Sequence, residues 1–227
     1  NKSFYYDYIF NNCYNIKNLK IDELYTNTIK MLFGNNISIK RLLLENVEIG
    51  KMNEILNNQF SGLTALKSFK VDNLVTGKIG SNAFSGCTNL EKVEFGTNVY
   101  SIGTSAFANT SLKAFNFTGV HTINSKAFEN SSLETVDLTK SSLTRINSSV
   151  FSGITELTSV ILNNDITSLG LSSFKNCTNL SSIKLSSRIT EIGESAFENC
   201  SALYDIELPA ILTKLGSRSF VNCKKLT

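Results

Sequence analysis

Apolar residues recur along this chain with one spacing, shown most fully between Ile189 and Leu208. With Phe197 as the reference, branched aliphatics stand five and eight residues before it (Ile192 and Ile189), Cys200 follows at three, Leu203 at six, Ile206 at nine and Leu208 at eleven. The same aromatic position falls at Phe10, Phe33, Phe60, Phe84, Phe107, Phe128, Phe151, Phe174, Phe197 and Phe220, in steps of 23, 27, 24, 23, 21, 23, 23, 23 and 23 residues. Ten of the fifteen phenylalanines are therefore one position. Self-similarity at this period marks a stack of coils, because no single coil can bury its own apolar face.

Each offset predicts an element. The segment Leu203, Ile206, Leu208 alternates apolar and polar in its second half, the two-residue period of a strand with one buried face. Four residues before the anchor stands glycine (Gly80, Gly103, Gly170, Gly193, Gly216) or asparagine (Asn124, Asn147). Both types tolerate positive φ, so a tight turn is expected there. The small residue plus Phe should then start one helical or 3-10 turn, too short to be stable alone. The expected fold is an α/β-type solenoid with a parallel sheet of short strands on one face and short helical or 3-10 turns on the other. It has about ten coils of roughly 23 residues.

One solenoid is expected over residues 1–227, with divergent coils at 1–78, regular coils at 79–227 and a truncated last coil. The aromatic opening Phe4, Tyr5, Tyr6, Tyr8 leads into Phe10, followed by Cys13, Ile16, Leu19 and Ile21 in register. The second coil reads as Phe33 with Ile39, Leu42 and Leu44, and the extra residues between Leu44 and Ile55 should bulge on one side. Two coils shorten by one residue after the anchor, at Leu112, Phe115, Phe117 and at Leu133, Val136, Leu138. The chain begins at Asn1 without methionine and stops part-way through a coil, as expected of a piece of a longer protein.

Composition narrows the function classes. A net charge of +3 is spread without a basic face, which argues against a nucleic-acid partner. No apolar run approaches the ~20 residues that span a bilayer. The single histidine, His121, has no Ser or Cys partner at a motif spacing, and no phosphate-cradling loop, metalloprotease motif or paired carboxylates occur. The reading is therefore non-catalytic, with no cofactor and no metal.

Five cysteines (Cys13, Cys87, Cys177, Cys200, Cys223) share the position three after the anchor. Their spacings match no C-x-x-C ligand pair, and the same position elsewhere holds Asn36, Leu63, Thr110, Ser131 and Ile154. Buried free thiols are expected, the alternative being a bridge between stacked neighbours such as Cys177 and Cys200. Asn109, Asn130, Asn147 and Asn199 lie in N-x-S/T sequons, which turns rich in Asn, Ser and Thr generate by composition alone.

The last coil, from Leu203, Ile206, Leu208 and Pro209 through Leu212, Leu215, Gly216, Phe220 and Cys223 to Leu226, resembles the BspA-like (Treponema-type) leucine-rich repeats. Leu215 stands where that pattern has isoleucine, and every coil but the last lacks its strand-end proline. The resemblance implies a cell-surface or secreted, adhesin-like protein that binds a protein or glycan on host matrix or another cell. Free cysteines suit a reducing compartment, so an intracellular protein-interaction scaffold stands beside it.

The surface expected to bind is the outward side of the strands, where exposed positions align in columns: Lys20, Leu43, Lys70, Glu94, Asn116, Asp137, Ile161, Lys184 and Glu207. The candidate partner-binding residues are Ala114, Asn116, Thr118, Thr135, Asp137, Thr139, Ser159, Ile161 and Asn163. Small uncharged side chains around one apolar centre let a partner approach closely.

Overall fold

Parallel strands stack in two ladders, and both follow from the apolar spacing. The computed structural model describes residues 10, 13–24, 32, 42–96 and 99–227. The expected places of Phe4, Tyr5, Tyr6, Tyr8, Phe33, Asn36 and Ile39 lie outside them. In chain order the strands are β1 (Asn18–Leu24), β2 (Asn46–Met52), β3 (Ser68–Leu74), β4 (Lys78–Ile79), β5 (Lys92–Phe95), β6 (Ser101–Ile102) and β7 (Thr122–Ile123). They continue as β8 (Thr135–Asp137), β9 (Arg145–Ile146), β10 (Ser159–Ile161), β11 (Ser168–Leu169), β12 (Ser182–Lys184), β13 (Glu191–Ile192) and β14 (Lys214–Leu215).

The first ladder is the expected one, β1-β2-β3-β5 and then β8-β10-β12. It aligns Leu19, Val47, Phe69 and Val93, then Val136, Val160 and Ile183, facing the core. The second ladder was not anticipated. It is built on the aliphatic five residues before each anchor, β4-β6-β7 through Ile79, Ile102, Ile123 and β9-β11-β13-β14 through Ile146, Leu169, Ile192, Leu215. A two-residue strand shows no alternation to read, so only the stacking of coils reveals it.

Between the ladders run the anchor rings. Phe60, Phe84, Phe107, Phe128, Phe151, Phe174, Phe197 and Phe220 stack in line, with neighbouring centroids 5.1 to 5.8 Å apart and planes within 15°. From Phe60 to Phe197 they are fully buried. Each anchor N–H donates to the carbonyl of the residue before the next anchor, as Phe174 does to Ala196 at 2.8 Å. The ring column is therefore pinned by backbone bonds as well as by burial.

Four expectations require correction. The face opposite the first ladder consists of hydrogen-bonded turns, with no helix or 3-10 segment among the described residues from 42 onward. From Phe60 to Phe220 the stack makes seven turns of 21 to 24 residues, and the first of the ten expected coils lie partly outside the described residues.

The second coil is out of register with the sequence reading. Its strand carries Val47 and Ile49, not Leu42 and Leu44. Glu45 pairs Lys17 on one side and accepts from Lys67 on the other, which places Leu44 at the level of Ile16 and Leu66. The supposed bulge between Leu44 and Ile55 is therefore β2 itself.

The recurrent glycine does not supply positive φ. A Cβ on Gly103 would lie 2.4 Å from the Ser81 nitrogen, and one on Gly216 2.3 Å from that of Glu194, so the column exists for close coil-to-coil approach. The left-handed residues lie elsewhere, two before the anchor (Ser105, Lys126, Ser172, Arg218) and two after it (Gly86, Asn109, Asn130, Asn176, Asn199, Asn222). After the anchor, asparagine amides bridge coils: Asn130 Nδ2 donates to Asn109 Oδ1 (3.1 Å), Asn199 to Asn176 (2.7 Å) and Asn222 to Asn199 (2.7 Å). Three of the sequon asparagines, Asn109, Asn130 and Asn199, are thus rungs of a ladder.

The thiols are free, but not all are buried. Cys87, Cys177 and Cys200 are fully enclosed, Cys223 is half-buried and Cys13 is exposed. Neighbouring coils cover the interior ones, and Cys13 lies in the first described coil.

Candidate functional site

The outward face of the first ladder divides into two zones. Over β1, β2, β3 and β5 the exposed column runs Lys20, Glu48, Lys70, Glu94, so the expected Leu43 is not part of it. Signs alternate, and each charge of the column finds a partner, Lys20 in Glu48 at 3.5 Å, Lys70 in Asp72 at 3.0 Å and Glu94 in Lys92. Lys17 and Lys67 flank Glu45 at 3.1 and 2.7 Å, Lys51 meets Glu23 at 2.9 Å, and Lys113 meets Glu91 at 3.2 Å. The two lysines, Lys67 foremost, hold the Glu45 carboxyl below its ordinary range. Such exposed pairs add little stability, but their fields cancel. This zone is a compensated lattice.

From Thr135 onward the column changes character. Parallel pairing sets Thr135 beside Ser159 and Ser182, and Asp137 beside Ile161 and Lys184. Ile161 is 41% exposed, although strand residues of its type normally face the core. Asp137 Oδ1 accepts the Thr139 N–H at 2.9 Å and its hydroxyl at 2.6 Å, and these bonds lower its pKa, the hydroxyl most. In the preceding coil Asn116 Oδ1 accepts the Thr118 N–H at 3.0 Å in the same way. Asp137 therefore caps the turn after β8 and Asn116 the corresponding turn of its coil, and each keeps one polar edge outward.

Of the nine candidate residues, Thr135, Asp137, Thr139, Ser159 and Ile161 form one patch on β8 and β10. Ala114 and Asn116 are exposed one coil earlier, and Thr118 is half-buried. Asn163 does not belong. It is 6% exposed, and its amide donates to the Ser141 carbonyl and hydroxyl (3.2 and 2.8 Å) and to the Leu143 carbonyl (3.1 Å). Its position after an apolar strand reads as surface in the sequence, but the connection folds over it.

The two zones meet at a crease. Residues 114–117 join neither β5 nor β8, and the bonds Lys113 N–H to Glu91 and Glu134 N–H to Lys113 are the backbone links there. Cavities of about 350 and 590 Å³ flank this unpaired segment, with Asn116 in the wall of both. Phe115 and Phe117 are drawn inward against Phe107 and Phe128 instead.

A parallel ladder with stacked anchors, built on a coil of about 23 residues, is the geometry against which known proteins can be compared. A family model of the BspA type leucine rich repeat region matches residues 3–133 and 121–227, with six copies. The chain belongs to the BspA-type leucine-rich repeat family. A leucine-rich repeat protein from Bacteroides ovatus aligns over 97% of this chain and 74% of its own, at 23% identity and a TM-score of 0.57. The T. pallidum leucine rich repeat protein aligns over 81% of this chain and 78% of its own, at 23% identity and a TM-score of 0.52. At these identities the likeness is one of fold. No curated protein matches significantly. Among the described residues of this BspA-type stack no group of His, Cys, Asp and Glu is placed to hold a metal, and no helix is long and apolar enough to cross a membrane.

Proposed function

We propose that this chain is a non-catalytic recognition module of a cell-surface or secreted, adhesin-like protein. It binds a protein or glycan on host matrix or another cell through the patch of Thr135, Asp137, Ser159 and Ile161, with Ala114, Asn116, Thr118 and Thr139 at its rim. One observation carries the reading: Ile161 is an exposed branched aliphatic on a strand face, set between Asp137 and Lys184, with the small hydroxyls of Thr135, Ser159 and Ser182 in the adjoining row. Interfaces concentrate their energy in apolar centres of this kind with a polar rim. Membership in the BspA-type family supports the surface location. The free thiols favour a second reading, an intracellular interaction scaffold using the same patch.

The test is a pull-down against matrix proteins and glycans with the native chain and with Asp137→Lys/Ile161→Glu. Capture by the native chain, lost in the double variant while its melt is unchanged, supports the reading. Equal capture by both moves the site off this face.

A further inference from the structure

Tyr100 and His121 occupy the same position on successive coils, and their rings stack with centroids 4.3 Å apart and planes 24° apart. Both are exposed, Tyr100 by half. His121 is held in place: a carbonyl can only accept, so Nδ1–H donates to the Gly119 carbonyl at 2.8 Å and Nε2 is left for another group. In the regular coils that follow, the position is filled by Thr144, Thr167, Thr190 and Thr213. In the coil before, it is Gly77, whose carbonyl accepts the Tyr100 N–H at 2.7 Å and which has no side chain to lay over the phenol ring.

The adjoining row adds polar groups and charge. The second ladder aligns Lys78, Ser101 and Thr122, and the Thr122 hydroxyl donates to that of Ser101 at 2.8 Å. Arg145 takes the same position in the next coil, and Lys140 accepts the Gly119 N–H through its carbonyl at 3.0 Å. Lys78, Lys140 and Arg145 are exposed, and none makes an ion pair among the described residues, where most other lysines on the strand face are paired. One carboxylate, Glu54, stands at the start of the row beside Ile55 and makes no ion pair either. Lys78 and Arg145, neither in an ion pair, thus stand on either side of an aromatic stack and a hydroxyl pair, with Glu54 one coil before Lys78, while Lys140 lies towards Asp137.

We propose that this patch is a second binding site, for an anionic saccharide bearing uronate or sulfate groups. The electron-rich faces of aromatic rings attract the C–H faces of sugar rings. Hydroxyls and the free Nε2 suit ring hydroxyls, and Lys78 and Arg145 make charge-assisted bonds to carboxylate or sulfate. Three coil steps separate the two cations, about 14 Å at the usual strand spacing, enough for a short sugar chain rather than one ring. The site lies on the second ladder, away from the Ile161 patch.

His121 is the chain's single histidine, so its imidazole proton signal reports on this place alone. A heparin-derived hexasaccharide titrated into the native chain should shift that signal saturably, with affinity falling as salt rises. Tyr100→Ala, which removes the stacking ring, and Lys78→Gln/Arg145→Gln, which removes both charge-assisted contacts, should each weaken binding about tenfold or more. Tyr100→Phe should bind as the native chain, and Ile161→Glu should leave the shift unchanged. No shift, an equal shift with neutral maltohexaose or with oligothymidylate, or affinity that survives Tyr100→Ala, would each overturn the proposal. Native-like melts of these exposed-site variants separate loss of binding from loss of fold.

Discussion

The Cys200 thiol donates to the carbonyl of Phe174 in the preceding coil, 3.1 Å away, and Cys87 to Phe60, Cys177 to Phe151 and Cys223 to Phe197 do the same at 3.1 Å. The position accepts cysteine because a small, weakly polar side chain can satisfy that carbonyl without leaving the apolar interior. Burial drives the Cys87 and Cys177 thiols up to about 12 and raises those of Cys200 and Cys223.

These thiols should therefore react unequally. At pH 8 in native conditions a disulfide reagent should titrate Cys13 rapidly and Cys223 slowly, and should leave Cys87, Cys177 and Cys200 untouched until denaturant is added. Fast modification of Cys177 in the folded chain would contradict its enclosure.

Phe174 stacks on Phe151 at 5.4 Å and on Phe197 at 5.5 Å. Phe174→Ala should cost about 3 to 5 kcal/mol. Because coils contact only their neighbours, loss of hydrogen-exchange protection should centre on the coils of Phe151 and Phe197. Uniform loss along the whole stack, or none, would count against the ring column as the local support.

Gly103→Ala tests the close approach. The added methyl meets the backbone of Ser81 and Gly80, which cannot swing aside as a side chain could. A cost of about 1 to 3 kcal/mol is expected from such overpacking. Chemical denaturation should rank this variant well below Asn124→Ala, whose position already carries a side chain.

Glu198 sits between Arg218 (2.6 Å) and Lys175 (3.1 Å) with its side chain 6% exposed. Arg218 first, then Ser195 and Lys175, lower its pKa from 4.5 to about 2. A depressed carboxylate stabilises the fold fully above the unfolded value and loses that contribution as pH falls from about 4.5 towards 2. Glu198→Gln should accordingly be less stable than the native chain at pH 7, and the gap should close between pH 4.5 and 2 in urea melts. A gap that is independent of pH would mean that shape rather than charge matters there.

Periodicity alone was sufficient for a solenoid of parallel strands, the anchor column from Phe60 onward and the apolar side of most of the first ladder, because a stack repeats one burial pattern and there that pattern is written every 21 to 24 residues. It also placed Asp137 and Ile161 outward on adjacent strands, since alternation along a strand is local. Contacts between coils were not local and had to come from the tertiary structure. The glycine column guards an approach so close that a Cβ would lie 2.3 to 2.8 Å from the neighbouring coil's backbone, which no single coil displays, so it reads in sequence as a turn. The second ladder rests on two-residue strands that exist only when stacked. Val47 and Ile49 could be told from Leu42 and Leu44 only by pairing with Leu19 and Phe69. The connection that folds over Asn163, the unpaired segment at Asn116 and the meeting of Tyr100 with His121 were likewise decided in three dimensions, because each depends on how one coil settles against the next.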